Sequence, residues 1–460
     1  MKLLFVVVFI VVYTKLFSFA SGGLSIRHLN LVSLVYYITL ITNVIGGSIV
    51  FLGFRDHYLV VKASDQAITN AYLSMALALC LVPITIRLVS GHSHPRKHLK
   101  QSSDPNLIRQ LDSTHQLDIP YDSRLDESTL FSCVLFVTIL CAAAALYSFL
   151  VIGQIPLLNI IFGSGDFATQ RISNSRGREG FIQLTNLVFL QTAPALAYIC
   201  RAFARTKANH LWNLLFFVNL TLAILALTFS YAKSPLAMFF IGLLLLDIQL
   251  NKAQSFRTLI RYAFLIGGIL VAAYIVIAQN DNSWFSLSTG PLSRLLIGQI
   301  ASLFLHFEAF PSVFPFQSGA SFPSWVGQLL GYPDWGTRSA RLIAIAYAPT
   351  GVESGTTGVI NTIFVGEAYA NWGFLGVLLG SIWVGIYIGF VYRFFTSRLA
   401  SPLMTAGYVI FTMDILTMIE GGMIDFLYSS SMIYEVLLFG MLVLLSYRKQ
   451  VAREELLFDE

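Results

Sequence analysis

Charged residues are scarce in this chain. They make up 12% of its 460 residues, whereas a soluble domain usually carries about 25%. Hydrophobic residues account for 56%, and the mean hydropathy is +0.71. These values exclude a soluble globular protein, because water is a poor solvent for so apolar a chain. We attribute the net charge of +5 to membrane topology, and we expect no nucleic-acid partner.

Cysteine is also rare, with four residues in the whole chain. All four lie inside apolar runs without C-x-x-C spacing, which argues against a disulfide framework and a thiolate metal site. The first segment, 1–20, lacks an A-x-A cleavage site, and Lys15 interrupts its apolar part. We therefore expect a retained first helix rather than a cleaved signal peptide. Pro95 interrupts the run of His92, His94 and His98, so we expect no metal site there.

The chain is rich in apolar runs of about 20 residues, the length that crosses a hydrocarbon core of about 30 Å. These runs predict about eleven membrane-spanning helices. The predicted ranges are 2–20, 29–54, 68–90, 128–151, 182–200, 211–232, 234–250, 259–279, 372–394, 403–424 and 431–447. We therefore predict an all-α fold, a polytopic transmembrane helix bundle that forms a single integral membrane domain over 1–460.

Lysines and arginines predict the orientation of this bundle. With the N-terminus outside, 19 of the 29 Lys and Arg residues fall on one side and ten on the other. The positive-inside rule makes the richer side cytoplasmic, and the C-terminus then lies in the cytoplasm. Three long loops follow: 91–127 in the cytoplasm, and 153–181 and 280–371 on the periplasmic side. We expect 280–371 to be partly helical, with short helices at the membrane surface, because it is rich in aromatic residues.

Several arginines lie in the two periplasmic loops, against the usual preference for the cytoplasmic side. Guanidinium groups match phosphate oxygens in a bidentate way, so these arginines predict a site for an anionic ligand such as a diphosphate. The candidates are Arg171, Arg176, Arg178, Arg338 and Arg341. Two other interpretations stay open: the first three could form a solvated or headgroup-binding loop, and the last two could pair with Asp334 or Glu353.

Few groups on the same side could act as a base. His306 is the only histidine in either periplasmic loop, and histidine titrates near neutral pH, although a structural role fits it too. Glu353 and Glu367 are the other candidates. Glu367 and Asn371 are four residues apart and share a face if this segment is helical. Because an unpaired charge is costly at membrane depth, we expect Glu367 to reach water, pair with an arginine or belong to a site.

The region that follows contains two further signals. Gly376 and Gly380 form a G-x-x-x-G pattern, which predicts close helix packing in lipid. The last two predicted helices carry acids at membrane level, namely Asp414, Glu420, Asp425 and Glu435. Such acids often mark a proton or ion path, which keeps a transporter as an alternative function.

Two stretches of the chain resemble a known family. The segment I-G-Q-I-P-L-L at 152–158, followed by Arg171, and the segment N-T-I-F-V-G-E-A-Y-A-N-W-G-F-L-G at 361–376 are similar to Wzy-type oligosaccharide repeat-unit polymerases, the O-antigen polymerases. Many spanning helices with one large periplasmic loop before the last few helices fit the same family. The resemblance implies a multi-pass glycosyltransferase of the bacterial inner membrane.

In this family, a growing glycan is transferred from undecaprenyl diphosphate to the terminal sugar of an incoming lipid-linked repeat unit, and the product is O-antigen or capsule-type polysaccharide. The resemblance implies that the five arginines stabilise the departing diphosphate. His306, Glu353 and Glu367 then compete for the role of base. The periplasmic loops contain no D-x-D motif, so we predict catalysis without a metal ion or another cofactor.

The implied partners are the undecaprenyl-diphosphate-linked oligosaccharide and membrane lipid, and a chain-length regulator protein is left open. Two alternatives remain. An O-antigen ligase would share the arginines and the large loop but would use lipid A-core as its acceptor. A lipid-linked oligosaccharide transporter would instead line a central cavity of the bundle with its positive residues.

Overall fold

The computed structural model describes residues 1–91, 126–162, 170, 180–207, 209–232, 234–251, 256–278, 285–354, 357–399 and 401–458. Within these ranges the regular structure is helical and no β-strand occurs. In chain order the α-helices are α1 Lys2–Ser21, α2 Leu31–Phe51, α3 Asp65–Ser90, α4 Glu127–Ile152, α5 Pro156–Phe162, α6 Phe181–Lys207, α7 His210–Thr228, α8 Ser234–Asn251, α9 Phe256–Ala278, α10 Gly290–Ser293, α11 Gln299–Ala309, α12 Ser324–Leu330, α13 Ser339–Tyr347, α14 Pro349–Glu353, α15 Phe364–Thr396, α16 Pro402–Gly421 and α17 Ser430–Phe458. The predicted loop 91–127 lies almost entirely outside the described residues.

Nine helices in the described part of the chain are long and apolar enough to cross a membrane. They are α1, α2, α3, α4, α6, α7, α15, α16 and the segment Ile424–Ser446. The predicted span 234–250 corresponds to α8, whose apolar part Ser234–Leu250 is shorter than the nine, and the predicted span 259–279 corresponds to α9. The all-α fold and the polytopic helix bundle are thus confirmed, and the chain is a multi-pass membrane protein.

Polar residues begin several of these helices. Asn30 and Ser33 form a reciprocal capping box at the start of α2. The side chain of Ser64 accepts a hydrogen bond from the Ala67 backbone N–H at the start of α3, and Asp126 accepts one from Ser128 at the start of α4. Each cap satisfies an N–H group that has no partner within the helix, so the polar residues between apolar runs define where the helices begin.

The helix α15 is sharply reversed rather than straight. Trp372 and Gly373 have non-helical backbone angles, and Gly373 has a φ of 62°. A Cβ atom built on Gly380 would lie 3.3 Å from the Cβ of Ala368, although residues 12 apart in a straight helix are about 18 Å apart. The segment 364–371 therefore folds back along the rest of α15. The close packing predicted from the G-x-x-x-G pattern is present, and it joins two parts of the same helix.

The first compact unit contains Met1–Gly91, Tyr274–Val391 and Asp414–Ser429. The Tyr13 hydroxyl connects α1 to α2 by donating to the Tyr36 carbonyl oxygen at 2.7 Å. The helix α11 is buried in this unit and packs against α3, with Ile300, Leu303 and Phe304 fully enclosed. This differs from the expected surface helices of the loop 280–371. The run I-A-S-L-F-L is apolar on all sides, which favours full burial over a position at the membrane surface.

Two loops of this unit meet at one end of α3. The Lys62 Nζ donates to the carbonyl oxygen of Tyr347 at 2.5 Å, and the Ser64 hydroxyl donates to the Glu308 carboxylate at 2.6 Å. The connection between α2 and α3 therefore contacts the loop 280–371 directly.

The second compact unit contains His92–Ala273, Tyr392–Met413 and Ser430–Glu460. Asn219 and Asp247 are polar residues of its interior that form hydrogen bonds. The Asn219 amide donates to the Thr138 hydroxyl at 3.0 Å and to the Leu215 carbonyl oxygen at 2.9 Å. Asp247 is enclosed and accepts a hydrogen bond from Tyr262 at 2.7 Å beside the guanidinium of Arg201. These contacts offset the high cost of polar groups inside an apolar bundle.

Candidate functional site

Arg338, Glu367 and Asp425 form a charge cluster in the first compact unit, called the Arg338 cluster below. Arg338 comes from the loop 280–371, immediately before α13, and its guanidinium reaches the ends of α15 and α16. The Nε and Nη2 atoms donate to the two carboxylate oxygens of Glu367 at 3.0 and 2.8 Å. The Nη1 atom donates to Asp425 at 2.8 Å, and Nη2 also donates to the Gly421 carbonyl oxygen at 3.0 Å.

Glu367 lies in the first turn of α15 and its side chain is 2% exposed. Besides the two bonds from Arg338, its Oε2 accepts a hydrogen bond from the backbone N–H of Ile424 at 2.9 Å. A bidentate guanidinium and a backbone donor together compensate the removal of this carboxylate from water. Glu367 thus pairs with an arginine, one of the three outcomes expected from the sequence.

Two glycines make room for the cluster: Gly421, the last residue of α16, and Gly422, which follows it before the 3₁₀ turn Ile424–Phe426. Gly422 has a φ of +136°, which side-chain-bearing residues rarely adopt. A Cβ atom on Gly422 would lie 2.3 Å from Glu367 Oε2 and 2.6 Å from Arg338 Nη2. A Cβ atom on Gly421 would lie 2.1 Å from Asp425 Oδ2. The backbone can approach the ion pair this closely because neither position carries a side chain.

One side of the cluster is open. The side chains of Arg338 and Asp425 are 33% and 24% exposed, whereas Glu367 is enclosed. Burial alone lowers the pKa of Arg338, but the two carboxylates raise it by more, so the guanidinium stays charged. Four of its five N–H groups are occupied, which leaves one on Nη1. The Oδ2 of Asp425 accepts no hydrogen bond from the described residues. A partly exposed carboxylate and a partly exposed guanidinium therefore lie side by side.

Asn371 fixes the loop 280–371 onto the segment that carries Glu367. Its amide donates to the Glu367 backbone oxygen at 2.9 Å and to the Ser321 hydroxyl at 3.0 Å, and its Oδ1 accepts from the Gly319 N–H at 3.0 Å. Asn371 is fully buried, so all these bonds are shielded from water. Glu367 and Asn371 lie one turn apart in the helical segment 364–371, so they share a face as predicted.

The other predicted residues of the loop 280–371 lie outside this cluster. Arg341 donates through Nη1 to the Gly358 carbonyl oxygen at 2.7 Å, and Glu353 is exposed at the end of α14. The ion-pair partners of Arg338 are therefore Glu367 and Asp425, rather than Asp334 or Glu353 as one alternative proposed. The predicted first-loop residues Arg171, Arg176 and Arg178 lie outside the described residues.

His306 is fully enclosed in α11. Its Nδ1 is 2.8 Å from the Ser302 carbonyl oxygen, so this nitrogen carries the proton and donates. Its Nε2, 3.1 Å from the Ser339 hydroxyl, then accepts from that group. Burial lowers the pKa of His306 to about 4, so the imidazole is neutral at neutral pH. Both nitrogens are engaged, and in this arrangement His306 holds the start of α13, the helix that follows Arg338.

From the sequence, Asp425 was only one of several membrane-level acids, and no role was predicted for Gly421 and Gly422. The signal that could have identified them is the run E-G-G-M-I-D at 420–425, where two adjacent glycines interrupt an apolar helix between two acids. Comparisons with known proteins find no relative of this chain. No protein-family model, no curated protein and no solved structure matches the chain.

Proposed function

We propose that this protein is a lipid-diphosphate glycosyltransferase that polymerises oligosaccharide repeat units at the periplasmic face of the bacterial inner membrane. The main observation behind this proposal is the Arg338 cluster. In it, one partly exposed guanidinium pairs with a buried carboxylate, Glu367, and with a partly exposed carboxylate, Asp425. The proposal is also supported by the resemblance of 361–376 to Wzy-type polymerases, because Glu367 of that segment belongs to the cluster.

Asp425 is the base that the geometry favours. Its Oδ1 is held by Arg338, while its Oδ2 is available to accept a proton. The hydroxyl oxygen of the acceptor sugar forms a bond to the anomeric carbon of the donor glycan, and the bond from that carbon to the diphosphate oxygen breaks. The hydroxyl proton passes to Asp425 Oδ2, and the electron pair of the broken bond leaves with the lipid diphosphate. Glu367 acts as a positioning residue, because both of its oxygens are already engaged.

The leaving diphosphate needs positive charge that is not already neutralised. Arg338 has one N–H group left and faces two carboxylates, so it serves mainly to orient Asp425. Arg341 is bonded to a backbone carbonyl rather than to an acid, and its charge remains available. We assign the diphosphate to Arg341 together with Arg171, Arg176 and Arg178. This division refines the expectation that all five arginines bind the diphosphate.

Aromatic rings of the loop 280–371 supply surfaces for sugar rings. Tyr332 and Trp335 are stacked with centroids 4.8 Å apart, and Trp325 contacts Tyr428 at 5.6 Å. Tyr332 and Trp325 are more than half exposed. Flat apolar faces of this kind stack on the C–H faces of sugars, and Trp325, Tyr332 and Trp335 belong to the same loop as Arg338.

The test is Asp425→Asn in the native host, with the chromosomal gene deleted and the variant expressed from a plasmid. Loss of a general base lowers the rate by about 10²–10⁴-fold, so long glycan chains should disappear from a ladder gel while single lipid-linked repeats remain. Asp334→Asn is the matched control, because Asp334 is an exposed aspartate outside the cluster, in the loop that carries Arg338. Immunoblots of the membranes establish that both variants are present at wild-type amounts.

Other patterns on the same gel point to other functions. Lipid-bound polymer that is not attached to lipid A-core would indicate a ligase. Lipid-linked repeats that remain protected from enzymes added to the periplasm would indicate a transporter. Normal ladders from Asp425→Asn would refute the assigned base.

A further inference from the structure

Glu420 is a membrane-level acid that the Arg338 cluster does not use, although it immediately precedes Gly421. Its carboxylate contacts α2 at the turn Leu40–Ile45, which has π-helical geometry. Such turns are rare in helices and occur frequently at functional sites, because the added residue changes the direction of nearby side chains. The turn presents Thr42 and Asn43 to Glu420.

The contacts at this turn leave two oxygens without partners. Glu420 Oε1 accepts hydrogen bonds from the Thr42 hydroxyl and from the Asn43 amide, both at 2.7 Å. The second N–H of that amide donates to the Thr42 oxygen at 2.7 Å. Glu420 Oε2 and Asn43 Oδ1 are sealed from solvent, and neither has a hydrogen-bond partner among the described residues. Asn43 itself is 0% exposed.

Glu420 also has no cationic partner among the described residues. None of the ion pairs formed by the described residues includes Glu420. The nearby Arg338 is occupied by Glu367, Asp425 and the Gly421 carbonyl. A carboxylate inside an apolar bundle needs a compensating positive charge, and lone buried oxygens need something to bind.

We propose that Glu420, Asn43 and Thr42 bind one Na⁺ ion. The available donors are a carboxylate, an amide oxygen and a hydroxyl, and hard cations prefer such oxygen ligands. A single carboxylate balances one positive charge, which favours a monovalent ion over Mg²⁺ or Ca²⁺. One Na⁺ supplies the missing charge and a partner for both lone oxygens. The site rests on contacts between α2 and α16, and it does not depend on the proposed function.

The test is equilibrium binding of radioactive Na⁺ to the purified full-length chain in detergent, at constant ionic strength with choline as the replacing cation. Saturable binding of one ion per chain is expected. Glu420→Gln should abolish binding, and Thr42→Val, which removes only a hydroxyl of similar size, should weaken it by about 10-fold or more. Glu435→Gln is the matched control, because Glu435 is another buried acid at membrane level and belongs to the second compact unit.

Thermal unfolding of the same samples separates loss of binding from loss of folding. At a Na⁺ concentration 100 times its dissociation constant, the unfolding equilibrium of the wild type should shift about 100-fold toward the folded state. Folded Glu420→Gln protein should show no such shift. Absence of Na⁺ binding by the wild type would overturn the proposal. Na⁺ binding retained by Glu420→Gln would overturn it as well, by placing the ion elsewhere.

Discussion

Removal of Arg338 should leave the Glu367 carboxylate buried with a single backbone donor. Breaking a buried ion pair by removing one partner costs about 3–5 kcal/mol. Glu367 is 2% exposed but Arg338 is 33% exposed, so water can partly replace the guanidinium and the low end of that range applies. We expect Arg338→Ala to lower the free energy of unfolding by about 3 kcal/mol.

A double-mutant cycle shows whether this loss comes from the pair itself. Glu367→Gln removes the charge that needs compensation, so Arg338→Ala should cost less in that background. We expect the double variant to lose about 2 kcal/mol less than the sum of the two single variants. The assay is chemical unfolding of the purified proteins in a mild detergent, followed by tryptophan fluorescence.

Arg341→Ala is the matched control for the cycle. It removes the same charge from a position three residues away, where the guanidinium bonds only to a backbone carbonyl, and it should change stability by no more than about 0.5 kcal/mol. If Arg338→Ala and Glu367→Gln are additive to within about 0.5 kcal/mol, the two side chains do not stabilise each other and the reasoning fails.

Two further predictions follow from the same unit. Gly422→Ala should cost more than about 2 kcal/mol and abolish polymer formation, because its Cβ would collide with Glu367, whereas Gly440→Ala, with open space around it, should be tolerated. For His306, the folded pKa of about 4 is below the unfolded value of 6.5, so the unfolded state binds the proton first and stability is lost as pH falls through this interval. Wild-type protein should lose about 3 kcal/mol more between pH 6.5 and 4 than His306→Gln, measured by unfolding at each pH, and parallel profiles would contradict this.

Several features of this protein could be read from the sequence because they depend on local composition. Apolar runs of about 20 residues require membrane-spanning helices, since hydrocarbon offers no hydrogen-bond partner to a peptide group. The spacing of Glu367 and Asn371 placed them on one helical face, because four residues make about one turn. The cost of a buried charge likewise predicted that Glu367 would pair.

The partners of these residues could not be predicted from the sequence. Arg338 is 29 positions from Glu367 and 87 from Asp425, and no local rule connects such distances. The sequence suggested Asp334 and Glu353 as acids for Arg338 because they are nearby in the chain. The reversal at Trp372 and Gly373 instead brings α15 back on itself and turns Glu367 toward a different helix end.

Composition and residue spacing by themselves determined that the chain lies in a membrane and that its fold is helical. They also determined that each buried charge needs a partner. Only the tertiary structure decided which groups meet, as in the contact between Asn43 and Glu420 across 377 positions. The physical reason is that burial raises the free energy of any unpaired charge, whichever residues lie beside it in the sequence. The choice among partners depends on backbone approach, and here it depends on two glycines and a π-helical turn that leave room for side chains from distant segments.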